Sequence, residues 1–306
     1  MQHILVIHTG NLGDVVSGSV VVRLLLQKYA RIHVFIRASF YGLFSGEPSI
    51  KEVCKESELQ NQYFDIVVDL DSSAKSRKLM RLIRYGYAWG LYAGWFRKIK
   101  YKKLYDTQLP KHSAGHIVRD YYPLFHALGG IGSPLPRIPV IPDADLALKL
   151  EHFRVDAKGL IGLHIHASNA VRSLPLNLVI NTMRDLHQKG FALALIAVDK
   201  NDVNEILHSL NFPVFYQSLS IARLKTLLLC LEHLIACDSG PLHLAAALGC
   251  KATGVYGPSM AKNYASTNIH VVEKVFPCRP CNQNKPCPYQ RRCLQSITSQ
   301  ELTTQI

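Results

Sequence analysis

The stretch richest in chemical capacity is LEHLIACDSGPLHLAAALGCKATGVYGPS, residues 231–259. Asp238, Ser239, Gly240, Pro241 and His243 fall there between two apolar runs, 234–237 and 242–248. That spacing predicts a strand, a turn and a helix, with Gly249 ending the helix and 252–256 supplying the next strand. Strand ends and helix starts converge on one edge of an open α/β sheet, where ligands bind. Pro241 suits the first helical position, where its missing N–H costs nothing. The amides of Ser239, Gly240 and Leu242 can then face a phosphate, aided by the positive end of the helix dipole. A plainer reading has Asp238 as a helix cap and His243 as a half-buried core residue.

A second acid, Asp14, lies in HTGNLGDVVSGSVVVRLLLQKY, which follows a predicted first strand at 4–7. Thr9, Gly10, Asn11 and Gly13 form the loop before it, and the glycines permit tight turning and close approach of a ligand to the backbone. The spacing is not G-x-G-x-x-G, so the dinucleotide fingerprint is absent. An amphipathic helix is predicted over 15–29. Asp14 is either a carboxylate favoured by the helix dipole or a general base.

A third polar group is HASNAVRSLP, after a strand at 160–165 and before a helix that begins near Pro175 and ends at Gly190. Ser168, Asn169 and Arg172 belong to this loop, and arginine has the donor geometry to hold phosphate oxygens. His164 and His166 alternate along the strand end and point oppositely, which speaks against a shared metal. Asp199, after a strand at 191–198, suits either a sugar hydroxyl or a turn. In the tail, CRPCNQNKPCPYQRRC holds Cys278, Cys281, Cys287 and Cys293. Four thiols at this spacing allow a structural zinc or iron, free cysteines or a redox pair. Arg279, Lys285, Arg291 and Arg292 would ease thiolate charge or serve an anionic ligand. Thr298 and Glu301 predict a capping-box helix start.

The elements that must position these groups alternate strand and helix, which predicts a mostly parallel sheet in each half. Strands are predicted at 32–36 and 64–70, with Pro48 and the stretch to Gln62 in connections. A helix is expected from near His112 to Leu128, bent at Pro123. GGIGSPLPRIPVIP, residues 129–142, reads as the connection between domains, with room for a short edge strand. The expected division is 1–145 and 146–306.

The chain has 306 residues, 48% of them hydrophobic and 19% charged, enough for two domains with real cores. Its 35 Lys and Arg against 22 Asp and Glu give a formal charge of +13, which suits phosphate-bearing substrates, a polyanion or an anionic membrane surface. Between Lys75 and Lys103, ten basic residues alternate with aromatics that include Tyr85, Tyr87, Trp89 and Trp95, without an acid. Such a segment suits an acceptor rich in phosphate or carboxylate, anionic lipid headgroups or single-stranded nucleic acid, or is a solvated basic face. No run is long enough to span a bilayer, and the start reads as a strand, so the expected location is the cytoplasm.

With these residues in view, the chain resembles the bacterial lipopolysaccharide heptosyltransferase family, glycosyltransferase family nine. HTGNLGDVV, HASNAVRSLP and DSGPLHLAAALG with VYGPS carry the resemblance, and the cysteine tail is similar to that of a subset of the family. It implies a GT-B fold, two Rossmann-like domains facing a central cleft, the first on the acceptor side and the second binding a nucleotide sugar. It implies inverting transfer of heptose from ADP-L-glycero-D-manno-heptose to the lipopolysaccharide inner core, without a catalytic metal, by a protein peripheral to the inner membrane. Asp14 matches the family's base, Arg172 its basic diphosphate-binding residue, and Asp238, Ser239, Gly240 and His243 its donor segment. The IAVDKND segment departs from the family's Gly- and Glu-containing form, so adenosine contacts are expected to differ. Some relatives instead glycosylate autotransporter proteins and carry cysteine-bound iron. The competing classes are a nucleotide- or carbohydrate-binding relic and a metal-stabilised nucleic-acid-binding protein.

Overall fold

The computed structural model describes residues 2–93, 99, 102–111, 116–281 and 287–306. It divides into two compact units, one of Met1–Ile141 with Ser220–Ala222, the other of Pro142–Leu219 with Arg223–Ile306.

The first unit is a six-stranded parallel sheet of β1 (Ile4–Ile7), β2 (Ile32–Phe35), β3 (Ile50–Val53), β4 (Tyr63–Asp69), β5 (Arg84–Tyr92) and β6 (Thr107–Pro110), in spatial order β3-β2-β1-β4-β5-β6. ILVI in β1 is fully buried because a central parallel strand is covered on both faces and needs an unbroken apolar run. Its register sets Ile7 against Asp69 of β4 and Phe35 of β2, so the loops after β1 and β4 emerge side by side.

Helix α1 (Leu12–Leu26) starts three residues before the predicted 15 and is not amphipathic. Eleven of its fifteen residues are buried, on every side of the helix. The core places Leu5, Ile7, Phe35 and Val67 together with Leu79 and Met80 of α2 (Ala74–Met80). Strands β3, β5 and β6 lie in stretches where no strand is predicted. The helix expected from His112 is instead a 3-10 turn, Ile117–Tyr121, followed by α3 (Tyr122–Ala127). Pro123 lies in the first turn of α3, where it opens the helix rather than bending it. His112 and Trp95 lie outside the described residues. Residues 129–142 carry no strand.

The second unit repeats the plan with β7 (Leu160–His164), β8 (Ala192–Ile196), β9 (Phe215–Tyr216), β10 (His233–Cys237), β11 (Ala252–Tyr256) and β12 (Ile269–Glu273), ordered β12-β11-β10-β7-β8-β9. Around it pack α4 (Ala144–Phe153), α5 (Leu176–Gln188), α6 (Lys200–His208), α7 (Ile221–Cys230), α8 (Gly240–Leu248), α9 (Ala261–Tyr264), α10 (Arg292–Gln295) and α11 (Ser299–Leu302). Gly249 ends α8 at φ +80, a left-handed conformation that favours glycine. At the start of α11, Thr298 Oγ1 accepts from the Glu301 amide while Glu301 accepts from the Thr298 amide, the predicted capping box. Two parallel sheets with covering helices make an α/β fold.

Candidate functional site

In each unit the strand order reverses beside the first strand, and ligands of open α/β sheets bind at that reversal, beyond the carboxyl ends of the strands. In the first unit the reversal lies between β1 and β4, which puts the loop after β1 next to the loop after β4. Asp14 is in the first turn of α1, and its Oδ2 accepts a 2.9 Å bond from the Asn11 amide. The helix-start reading is therefore correct for one oxygen. Oδ1 accepts no hydrogen bond from the described residues and is available as a base. A Cβ at Gly10 would come within 2.9 Å of Asp14 Cβ, so glycine is required there to let the loop close over the acid.

Beneath Asp14 lies a pair that the sequence did not single out. His8 is buried, its Nε2 is 2.9 Å from the Asp14 carbonyl oxygen, and its Nδ1 is 2.7 Å from Asp71 Oδ1. Asp71 also accepts from the Thr9 amide. Burial pushes the Asp71 carboxyl up, but the His8 charge and the bonds from His8 and Thr9 outweigh it and hold it down at about 2. Arg37 ties the same loop, donating from Nε to the Thr9 carbonyl (2.6 Å) and from a terminal nitrogen to Asn11 Oδ1 (3.3 Å). Neighbouring Asp69 is fully buried and accepts from Tyr105, and burial raises its carboxyl above the ordinary value. The Asp-x-Asp at the end of the apolar FDIVVDLD run, read with the reversal rule, is the signal that would have found them.

In the second unit the reversal lies between β7 and β10, so the loops after them are neighbours. There Arg172, Asp238 and His243 come together. Asp238 Oδ2 accepts from Arg172 Nη1 at 3.2 Å and from Ser259 Oγ at 2.6 Å, while Oδ1 is 3.7 Å from His243 Nε2. Burial pushes the Asp238 carboxyl up, yet His243, Ser259 and Arg172 together hold it below its usual range. Asp238 is thus an ionised acid anchoring Arg172, and it does not cap α8. The other terminal nitrogen of Arg172 donates to Ser168 Oγ at 2.8 Å, and about a fifth of the side chain, 21%, stays exposed.

Ser239 is the N-cap residue of α8, but its hydroxyl donates to the Cys237 carbonyl at 2.9 Å and makes no capping bond. Pro241 follows Gly240, the first helical residue, and so stands one place later than predicted. The first-turn amides have no intrahelical acceptors, and a helix start beside Arg172 suits an anion. Asp199 takes the turn role: Oδ1 accepts from the Asn201 and Asp202 amides and caps α6. Each histidine of the β7 end has a protein partner. His164 bonds the Ile196 carbonyl and His166 pairs with Asp202 at 2.8 Å. Ser259, within the VYGPS segment, is a site residue whose part shows only in three dimensions.

Cys278, Cys281, Cys287 and Cys293 line one cavity of about 330 Å³ with Arg279 and Arg291, and none of the four is in a disulfide. Burial and the charges of Cys278 and Cys287 push the Cys281 thiol up. Soft thiolate donors suit zinc or iron, but among the described residues no three Cys, His, Asp or Glu side chains are grouped to hold an ion. Lys285 lies outside the described residues.

Two Rossmann-type sheets, each with its polar residues at the strand reversal, define a GT-B-type glycosyltransferase fold. A model of glycosyltransferase family 9 (heptosyltransferase) matches residues 55–291, and the chain belongs to that family. Among solved structures, the Veillonella parvula family 9 glycosyltransferase superposes with a TM-score of 0.78 at 16% identity, covering 99% of this chain and 95% of that one. Escherichia coli ADP-heptose lipopolysaccharide heptosyltransferase II gives 0.77 at 19% identity, with 98% and 96% covered. The iron-containing dodecameric glycosyltransferase TibC of enterotoxigenic E. coli gives 0.60 at 14% identity, with 99% and 74% covered. A search of curated protein sequences returns no match. No helix among the described residues is long and apolar enough to cross a membrane.

Proposed function

We propose that this heptosyltransferase-family protein transfers heptose from ADP-L-glycero-D-manno-heptose to the lipopolysaccharide inner core, inverting the anomeric carbon. The observation that carries the reading is the Arg172–Asp238–Ser259 cluster beside the uncapped start of α8, a site built for a diphosphate. Arg172 and the α8 amides take up the charge of the departing ADP. Ser168 holds Arg172 in place, Asp238 orients it, and His243 stands over the other oxygen of Asp238. The free Oδ1 of Asp14 receives the proton of the acceptor hydroxyl as that oxygen attacks, with Thr9, Gly10, Asn11 and Gly13 shaping the acceptor pocket. This chemistry asks for no catalytic metal. Exposed Tyr87 and the basic residues around it serve the anionic acceptor and the cytoplasmic face of the inner membrane.

A second reading, transfer to a protein acceptor, is favoured by the four cysteines around one cavity and the likeness to an iron-containing glycosyltransferase. A structural zinc or iron would go with it only where Cys278, Cys281, Cys287 and Cys293 draw together on binding it, outside the reaction. The test is a donor-by-acceptor transfer assay with mass detection, alongside metal analysis of the purified protein. A heptose-sized mass gain on core oligosaccharide from ADP-heptose is the expected result. Gain only on protein favours the second reading, and no transfer to either sinks both.

A further inference from the structure

The proposed chemistry makes no use of the cysteine-bearing tail, yet two of its arginines reach the loops of the donor site. A terminal nitrogen of Arg291 donates to the Ala170 carbonyl at 3.2 Å and to the Ser173 carbonyl at 3.1 Å. Those carbonyls bracket the 3-10 turn Ala170–Arg172, whose last residue bonds Asp238. Arg279, with only 6% of its side chain exposed, donates to the Ser259 carbonyl at 2.6 Å, and the Cys281 amide donates to the Pro258 carbonyl at 3.3 Å. Both donors to Asp238 Oδ2, Arg172 and Ser259, are therefore carried on backbone that the tail grips. The cysteine-lined cavity lies against both grips, since Val171 and Pro258 belong to its wall. Arg291 is itself set by this segment. Its backbone is left-handed, at φ 57, and its amide donates to Cys287 Sγ at 3.3 Å.

We infer that Arg291 is a positioning residue for the diphosphate site: by holding both ends of the Ala170–Arg172 turn it fixes the Arg172 guanidinium against Asp238, and so sets donor affinity without touching the donor. The inference rests on the assignment of Arg172 to the diphosphate. A guanidinium suits the task because one terminal nitrogen carries two N–H donors in fixed directions, one for each carbonyl, whereas an ammonium on a flexible stem holds them less rigidly. A tail that merely packed against the unit would raise stability and leave affinity alone.

The test measures ADP binding by calorimetry on the full chain for wild type, Arg291→Met, Arg291→Lys, Arg172→Met and the Arg291→Met/Arg172→Met double variant. Hydrogen–deuterium exchange of residues 167–174 is followed in parallel. Arg291→Met should weaken ADP about tenfold, the scale of one hydrogen bond expressed in affinity, and should speed exchange in that segment. Arg291→Lys should recover most of the affinity. In the Arg172→Met background the Arg291→Met penalty should vanish, because coupled residues are not additive. Additive penalties, or wild-type affinity with unchanged exchange, overturn the inference. If Arg291→Met does not fold, Arg291→Lys carries the same comparison at reduced amplitude. Should wild type itself not bind ADP, the donor assignment has failed, and exchange in 167–174 alone decides whether Arg291 holds the turn.

Discussion

Asp14 divides its two oxygens between structure and chemistry. Oδ2 is held by the Asn11 amide and Oδ1 has no partner among the described residues, so an amide in its place keeps the first and loses the second. Asp14→Asn should therefore retain ADP binding within about twofold and lower transfer by about 10²–10⁴, the usual worth of a positioned base. Steady-state transfer with calorimetry checks it, and an active Asp14→Asn protein would remove Asp14 from the mechanism. Tyr256 gives the opposite kind of prediction. Its hydroxyl is buried without a hydrogen-bond partner among the described residues, and burial near Asp238 pushes the phenol pKa up. Removing an unpaired buried hydroxyl relieves a desolvation penalty, so Tyr256→Phe should stabilise by about 1 kcal/mol. A lower denaturation midpoint for that variant would show that the hydroxyl has a role.

At the scale of the element, α1 holds the acid in place by being buried all round. Gly18 lies in its interior, where alanine would ordinarily be favoured by about 1 kcal/mol. Here a Cβ would stand 2.7 Å from the His8 ring, which is fixed by the Asp14 carbonyl and Asp71. Gly18→Ala is expected to destabilise by about 1–3 kcal/mol, the range for overpacking, and to reduce transfer by moving His8 and the loop above it. Thermal melts read beside transfer rates check this, and a more stable, fully active variant would contradict it.

The central strands and the helix after Ser239 were legible because unbroken apolar runs flank them. Strand β5 was not, since RYGYAWGLY carries two glycines and a charge, and its aromatics read as easily as a surface. Strand β3 (IKEV) and strand β6 (TQLP) are short and half polar, and β6 ends in proline. Arg172 and Asp238 could be picked out as candidates from loop position. The parts of Ser259 and Arg291 could not, because they depend on partners 21 and about 120 residues away, and His8 could be reached only by way of Asp71, 63 residues on.

At the scale of the molecule, acid should act on the second unit through two buried histidines. Burial lowers His164 and His233, both in strands of the second unit, to about 4. The unfolded chain takes up those protons near pH 6.5 and the folded one near 4. Stability therefore falls as pH drops through that window, by up to about 3 kcal/mol for each histidine. Asp71 of the first unit titrates lower: its contribution is complete above the ordinary carboxylate pKa of 3.8 and is lost as pH falls from there to about 2. Melts followed by circular dichroism from pH 7.5 to 5 should show the fall, and His233→Gln, which can still bond Thr253, should flatten it. An unchanged slope in that variant would exclude His233 as a source.

Both sheets follow one strand order, and neither borrows a strand from the other. Each half is therefore a self-contained cassette whose recognition loops can be rewritten while its partner stays as it was. Under the proposed assignment, change in the outer loops of the first unit would retune which acceptor is taken and leave nucleotide recognition by the second unaltered.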